Sequence, residues 1–162
     1  MEPWSAGTPP RRRRTASAVR SVGEMRYRTA HEDLIGTFPE LRGPYRRLFD
    51  DWDDFQGEPP GQYIVFSATF GTMLEVALAL PESTGGRDEV LRRAIDFGEA
   101  MLTSSDAEVR DLGVDALAER LDSGQGGPAV AQRLGGPALR AWFSAYSAND
   151  WERPADDEII DL

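Results

Sequence analysis

Carboxylates are what this sequence supplies in excess. Their densest cluster is Asp50-Asp51-Trp52-Asp53-Asp54, with Glu58 four residues further on. A pair held at different pKa values could act as general acid and general base, as in glycoside cleavage. An ordered set could hold a hard cation, but a calcium loop needs a glycine turn and an ordered ligand spacing that Asp-Asp-Trp-Asp-Asp lacks. Acids around an aromatic anchor could instead face a cationic partner, because Trp and Tyr are enriched where interfaces gain most of their energy. The plainest alternative is a solvated acidic helix face whose opposite side is core.

Other chemistry is limited by what is missing. There is no cysteine, so neither a disulfide framework nor a thiolate metal site can form. All 18 basic residues are arginine, which removes the phosphate-loop lysine and Schiff-base chemistry. His31 is the single histidine, so one chain cannot build a multi-histidine metal site. No Gly-x-Ser-x-Gly elbow, dinucleotide fingerprint or metal motif occurs. We expect no enzyme, no cofactor and no metal, and a catalytic role for His31 is not favoured.

The formal charge is −10, unevenly placed. Residues 1–28 carry seven arginines against two glutamates, including the run Arg11 to Arg14, whereas residues 29–162 carry 11 arginines against 26 acids. So acidic a domain is repelled by a nucleic-acid backbone and suits a basic protein partner. The apolar run Met73 to Leu80 is interrupted by Glu75 and too short to span a bilayer. No hydrophobic stretch follows the N-terminal arginines, so neither a secretory signal nor a membrane association is expected, and the expected compartment is the cytoplasm.

The elements that would position these side chains read as helices. Residues 1–28, with Pro3, Pro9, Pro10 and few large apolar side chains, read as a disordered Arg-rich tail. Residues 29–149 read as a single helical domain, and 150–162 as an acidic tail. Thr29 to Phe38 is a short helix stopped by Pro39. Gly43-Pro44 opens the acidic helix, in which Tyr45, Leu48, Phe49, Trp52 and Phe55 form a stripe. Tyr63 to Phe66 fits either a strand or a buried helix start, since four apolar residues cannot decide. Ser67 to Leu80 reads as a buried helix, with Phe70, Met73, Leu74, Val76, Ala77 and Leu80 apolar. Pro128 and Pro137 each open a further helix, the second carrying Leu139, Trp142, Phe143 and Tyr146.

The strongest signal is a hairpin from Arg87 to Leu121. In its first helix Leu91, Ala94, Ile95, Gly98 and Leu102 share a face. Asp88 with Arg92, and Glu89 with Arg93, have the favourable four-residue spacing of exposed helical ion pairs. Ser105-Asp106-Ala107-Glu108 reads as a capping box opening the second helix. Val109, Leu112, Ala116, Leu117 and Leu121 line one face, with Val114 and Ala118 starting another. Neither helix is long enough to stand alone in water, so each must bury its stripe.

Ala107-Glu-Val-Arg-Asp-Leu-Gly-Val-Asp-Ala-Leu-Ala-Glu-Arg-Leu121 resembles the second helix of a HEAT-type repeat. The landmarks Phe38-Pro-Glu-Leu41, the helix around Trp52, Pro60-Gly61 with Ile64 and Phe66, Ile95-Asp-Phe97, and Thr103 to Arg110 leading to Leu117-Ala-Glu-Arg-Leu121 together resemble a family of small bacterial helical proteins similar to immunity proteins for secreted or contact-delivered toxins. The expected fold is all-α, a compact bundle or short solenoid of six to seven helices with HEAT-like pairs. The resemblance implies a protein-binding module that neutralises a basic toxin by occluding it. Asp50, Asp51, Trp52, Asp53, Asp54 and Glu58 are the expected partner-binding residues. A cytoplasmic adaptor is the alternative, and a carboxylate-dependent enzyme a more distant one.

Overall fold

The computed structural model describes residues 25–53 and 57–148, and among these the chain is all-α. Seven helices follow one another: α1 (Ala30–Thr37), α2 (Arg42–Asp53), α3 (Gln62–Ala79), α4 (Arg87–Leu102), α5 (107–123), α6 (Gly127–Leu134) and α7 (Pro137–Ala148). Single 3-10 turns at Tyr27–Thr29 and Pro39–Leu41 precede α1 and α2. Tyr63 to Phe66 is helical and runs straight on into Ser67, so the strand option is removed. The expected tails lie mostly outside the described residues. Residues 25–28 are described, and Met25 is buried in the core.

The core is built around four aromatic rings from three segments. Phe38 after α1, Phe66 and Phe70 on α3, and Phe97 on α4 have centroids 5.7–6.3 Å apart. Most of these pairs are tilted or edge-to-face, which matches positive ring edges to negative faces. One described helix, Gln62–Ala79, is long and apolar enough by length and composition to cross a membrane, but its Phe66, Phe70 and Leu74 are fully buried in this core. On that helix the buried stripe is shifted from the expected one: Val76 faces outward and Leu78 is buried, while Leu80, just past the helix end, is exposed.

The α4–α5 hairpin forms, with Leu91, Ala94, Ile95, Gly98, Val109, Leu112, Leu117 and Leu121 buried and Leu102 half-buried. Ala118 is buried as well, so α5 is covered on two sides. Two glycines let the helices approach: a Cβ at Gly98 would meet Leu117 Cδ2 at 2.2 Å, and one at Gly113 would meet Met101 Cβ at 2.8 Å. The opening of α5 differs by one residue from the expected capping box. The cap is Asp106, whose Oδ1 accepts from the Glu108 N–H at 3.1 Å, while Ser104 Oγ accepts from the Asp106 N–H at 3.2 Å. The same aspartate accepts from the Tyr27 N–H at 3.1 Å and so ties the N-terminal segment to the hairpin.

The expected ion pairs within α4 do not form, and Asp88 and Arg93 reach to other elements instead. Asp88 takes Arg133 of α6 at 2.6 Å and Arg87 at 3.3 Å rather than Arg92. Arg93 turns from Glu89 to Glu40 at 3.0 Å, donates to Thr37 O at 2.8 Å, and lies 4.8 Å from the centre of the Phe38 ring. A long side chain that can reach an unsatisfied helix-end carbonyl and an aromatic face gains more there than in an exposed pair along its own helix. Arg92 pairs with Glu89 at 3.4 Å.

Two outcomes follow for stability. Alanine within a helix normally gains about 1 kcal/mol over glycine, but at Gly98 the crowding of Leu117 should reverse the sign. Gly98→Ala should destabilise by about 1–3 kcal/mol in urea unfolding, and the penalty should vanish in a Leu117→Ala background. An equal penalty in both backgrounds would disprove the steric assignment. Asp106 is held below the usual carboxylate range, first by the hydrogen bond from the Tyr27 backbone and also by that from Glu108. Its contribution is complete above the unfolded-state value of about 3.9 and is lost as pH falls through the lower folded-state value. The urea midpoint of Asp106→Ala should therefore fall less steeply than that of wild type on acidification below about pH 4.

Candidate functional site

The residues singled out from sequence are only partly drawn together. Asp50 and Asp51 are exposed on α2. Trp52 is half-buried, and its indole Nε1 donates to Glu58 O at 2.7 Å, so its polar edge closes the following loop onto the helix. Asp53 is the last residue of α2, and Asp54 and Phe55 lie outside the described residues. Glu58 is exposed, meeting Trp52 through its backbone. Arg46 and Arg47 precede Asp50 and Asp51 by one helical turn, which offsets the acidic field of this surface. Beside it Tyr45 packs on Phe49 with centroids 4.6 Å apart and stacks on His31 at 5.9 Å. His31 Nδ1 is 2.7 Å from Gln62 Nε2, so this ring joins α1 to α3.

A different acidic-aromatic surface is assembled by tertiary contacts. The first turn of α3 presents Tyr63 and Ile64, 42% and 40% exposed, and Tyr27 lies against Tyr63 with centroids 6.3 Å apart. Across from them, α5 carries Glu108, Asp111 and Asp115. All three act on the Tyr63 phenol, which is held above its ordinary value by partial burial first, then by Asp111, Tyr27, Asp115 and Glu108. The Tyr27 phenol is likewise pushed up by burial and by Glu108. Both rings therefore keep their hydroxyl protons at neutral pH and sit in a negative local field. None of the three carboxylates has an ion-pair partner among the described residues. The nearest arginine on the helix, Arg110, is engaged by Ser104 O at 2.8 Å.

The floor beside this surface is a groove of about 360 Å³ between α3 and α5. Its walls include Tyr63, Ile64, Ser67, Asp115 and Arg120. Here both helices widen: α3 has a π-type turn at Ser67–Gly71 and α5 one at Val114–Ala118, and the two pack together. Such turns recur at functional sites because the extra residue redirects side chains. Arg120 crosses the gap, donating to Ser67 Oγ at 2.6 Å and pairing with Glu75. A Cβ on Gly71 would come within 2.6 Å of the Arg120 Cζ, so the guanidinium rests against the space that the glycine leaves open. A second groove of about 440 Å³, mostly apolar, runs between α2, α3 and the start of α4 past Leu41, Met73, Val76, Leu80 and Val90.

No group of three or more metal-ligating side chains converges among the described residues. Compared with known proteins, the chain matches no family model, no curated protein and no solved structure. The α5 carboxylates escape a sequence reading because Glu108, Asp111 and Asp115 look like ordinary solvated helix positions. Only the fold brings Tyr27 and Tyr63 against them. The spacing of the three acids, three and then four residues apart, is the one signal in the sequence, since it marks one helix face.

Ser67 should hold Arg120 in place. Because Arg120 is also paired with Glu75, we expect the double change Ser67→Ala and Glu75→Gln to free the guanidinium to move toward Asp115 and to weaken the negative field at the groove. The Tyr63 phenol should then titrate lower than in wild type, by absorbance or NMR. An unchanged or raised Tyr63 titration would refute this coupling.

Proposed function

We propose that this chain is a protein-binding module for a basic partner, received on the face formed by Tyr27, Tyr63, Ile64, Glu108, Asp111 and Asp115. The observation that carries the reading is a set of carboxylates without ion-pair partners beside partly exposed aromatic rings. A guanidinium suits both halves of such a surface: its planar fork meets carboxylates and its flat face stacks on tyrosine. The acid balance of the domain would speed the encounter with a cationic protein and disfavour nucleic acid.

In its concrete form, suggested by the resemblance drawn from the sequence, the module is a cytoplasmic immunity protein that occludes a basic bacterial toxin. Asp50, Asp51 and Glu58, exposed on and just after α2, would then supply further acidic contacts to the same partner. Such exposed charges act mainly on association rate and salt dependence.

Two measurements test this reading. In a titration with an octa-arginine peptide at low salt, wild type should bind with amide shifts centred on residues 108–115, and the E108Q/D111N/D115N variant should bind about tenfold more weakly, the sum of three partly exposed pairs. Equal binding by the two proteins would remove this face from the proposal. For the immunity form, bacteria deleted for the gene should be inhibited by their undeleted parent in co-culture. Wild type should restore survival and the charge-reversed E108K/D111K/D115K copy should not. Full rescue by that copy would reject the occlusion mechanism at this face.

A further inference from the structure

The described chain begins beside the face proposed for the partner. Met25 is buried, the Tyr27 N–H is fixed to Asp106 at the start of α5, and the Tyr27 ring lies against Tyr63. Whatever precedes Met25 therefore departs within a turn or two of Glu108. What precedes it is basic: residues 1–24 hold five arginines against two glutamates, four of the arginines being consecutive from Arg11 to Arg14. The largest positive charge density in the sequence is thus tethered next to carboxylates that lack a partner elsewhere in the described fold.

We propose that Arg11–Arg14 occupy the Tyr63–α5 face of their own chain and act as an internal competitor that a basic partner must displace. The proposal rests on the reading that this face takes guanidinium groups, and it adds the occupant and the regulation.

Three physical points favour this occupant over a separate molecule. The first is reach. Ten residues lie between Arg14 and Met25, enough to extend over at least 30 Å, whereas Glu108 to Asp115 covers about 10 Å of helix. The second is concentration. Covalent attachment through a short connection keeps the four arginines near the anchor at an effective concentration of about millimolar, so contacts that are individually weak can be populated. The third is chemistry. Each arginine can fork onto Glu108, Asp111 or Asp115, or lie on the exposed Tyr63 ring. The contact is exposed, with a screening length of about 8 Å at physiological ionic strength, so it is salt-labile and can be displaced. A partner with more arginines, or with an apolar group for Ile64 and the adjoining groove, would displace it.

The test uses the full chain, which has no native cysteine. A nitroxide attached at Ser17→Cys should broaden the amide signals of residues 108–115 and of Tyr63 at low salt. The broadening should fall at least twofold when Arg11, Arg12, Arg13 and Arg14 are all changed to serine, or when about 0.5 M salt reduces the screening length to a few ångströms. Equal broadening with and without the four arginines would overturn the proposal, because tethering alone would then explain it. Adding a tetra-arginine peptide to the four-serine protein separates the two readings. Shifts at the same amides, with affinity several-fold above that for wild type, support self-competition. Shifts with equal affinity for both proteins overturn the internal competitor and leave the face as a guanidinium site. No shift in either protein overturns both.

Discussion

The contact on which the remaining packing depends is the crossing of α4 over α5, where Gly98 lies directly against the Leu117 side chain. Helices of this length have no stability of their own in water, so burying one stripe against another must supply it. The missing Cβ at Gly98 and the matching space at Gly113 let the two backbones approach closely enough for Leu112, Leu117 and Leu121 to be wholly buried. With the hairpin fixed, Phe97 stands where it can meet Phe38, Phe66 and Phe70, and that meeting sets α1 and α3. The small helices α6 and α7 then close the other side of α4.

Helix ends explain where most of the ordered charge is used. A bundle of short helices exposes many unsatisfied N–H and C=O groups for its size. Here they are met by side chains from distant elements. Arg93 donates to Thr37 O at the end of α1, Arg87 to Ala77 O near the end of α3, and the Glu99 carboxylate accepts from the Ala138 and Leu139 N–H groups at the start of α7. Arg110 and Asp106 serve the turn between α4 and α5 in the same way. Each such contact stabilises the fold and also withdraws a charge from the pool that could face a partner. Glu108, Asp111 and Asp115 are left on one helix face with no such task.

This division also accounts for what could be read from the sequence. The hairpin, the proline-opened helices near Pro128 and Pro137 and the all-α class were legible, because apolar spacing and helix-start residues are local signals. Tyr63 to Phe66 was not, because four apolar residues carry no period; its conformation is decided by continuity with the buried helix after it. The pairs Asp88–Arg92 and Glu89–Arg93 had the right spacing but lost to Arg133, Glu40 and a helix-end carbonyl, all distant in sequence. The π-type turns and the fit of Arg120 over Gly71 depend on two helices meeting. For the site, the density of acids drew attention to Asp50–Asp54, whereas the face with carboxylates left over depends on Tyr27 and Tyr63, both far from α5 in sequence.

A surface of leftover charge differs from one built around a buried ion pair. Burying paired ions removes their hydration, and the attraction regained is often no larger. Glu108 and Asp111 are exposed and Asp115 is half-buried, so little hydration is lost when a cation arrives. Three carboxylates along about 10 Å of helix lie within about one screening length of a common ligand and act on it together. That favours rapid, salt-sensitive capture over tight holding. Tight holding requires apolar burial as well, and a standard protein interface covers about 800 Å² on each partner, well beyond what Tyr27, Tyr63 and Ile64 can offer. A partner bound tightly here must therefore spread over the groove beside Ser67 and Arg120, where the two π-type turns open the space between α3 and α5.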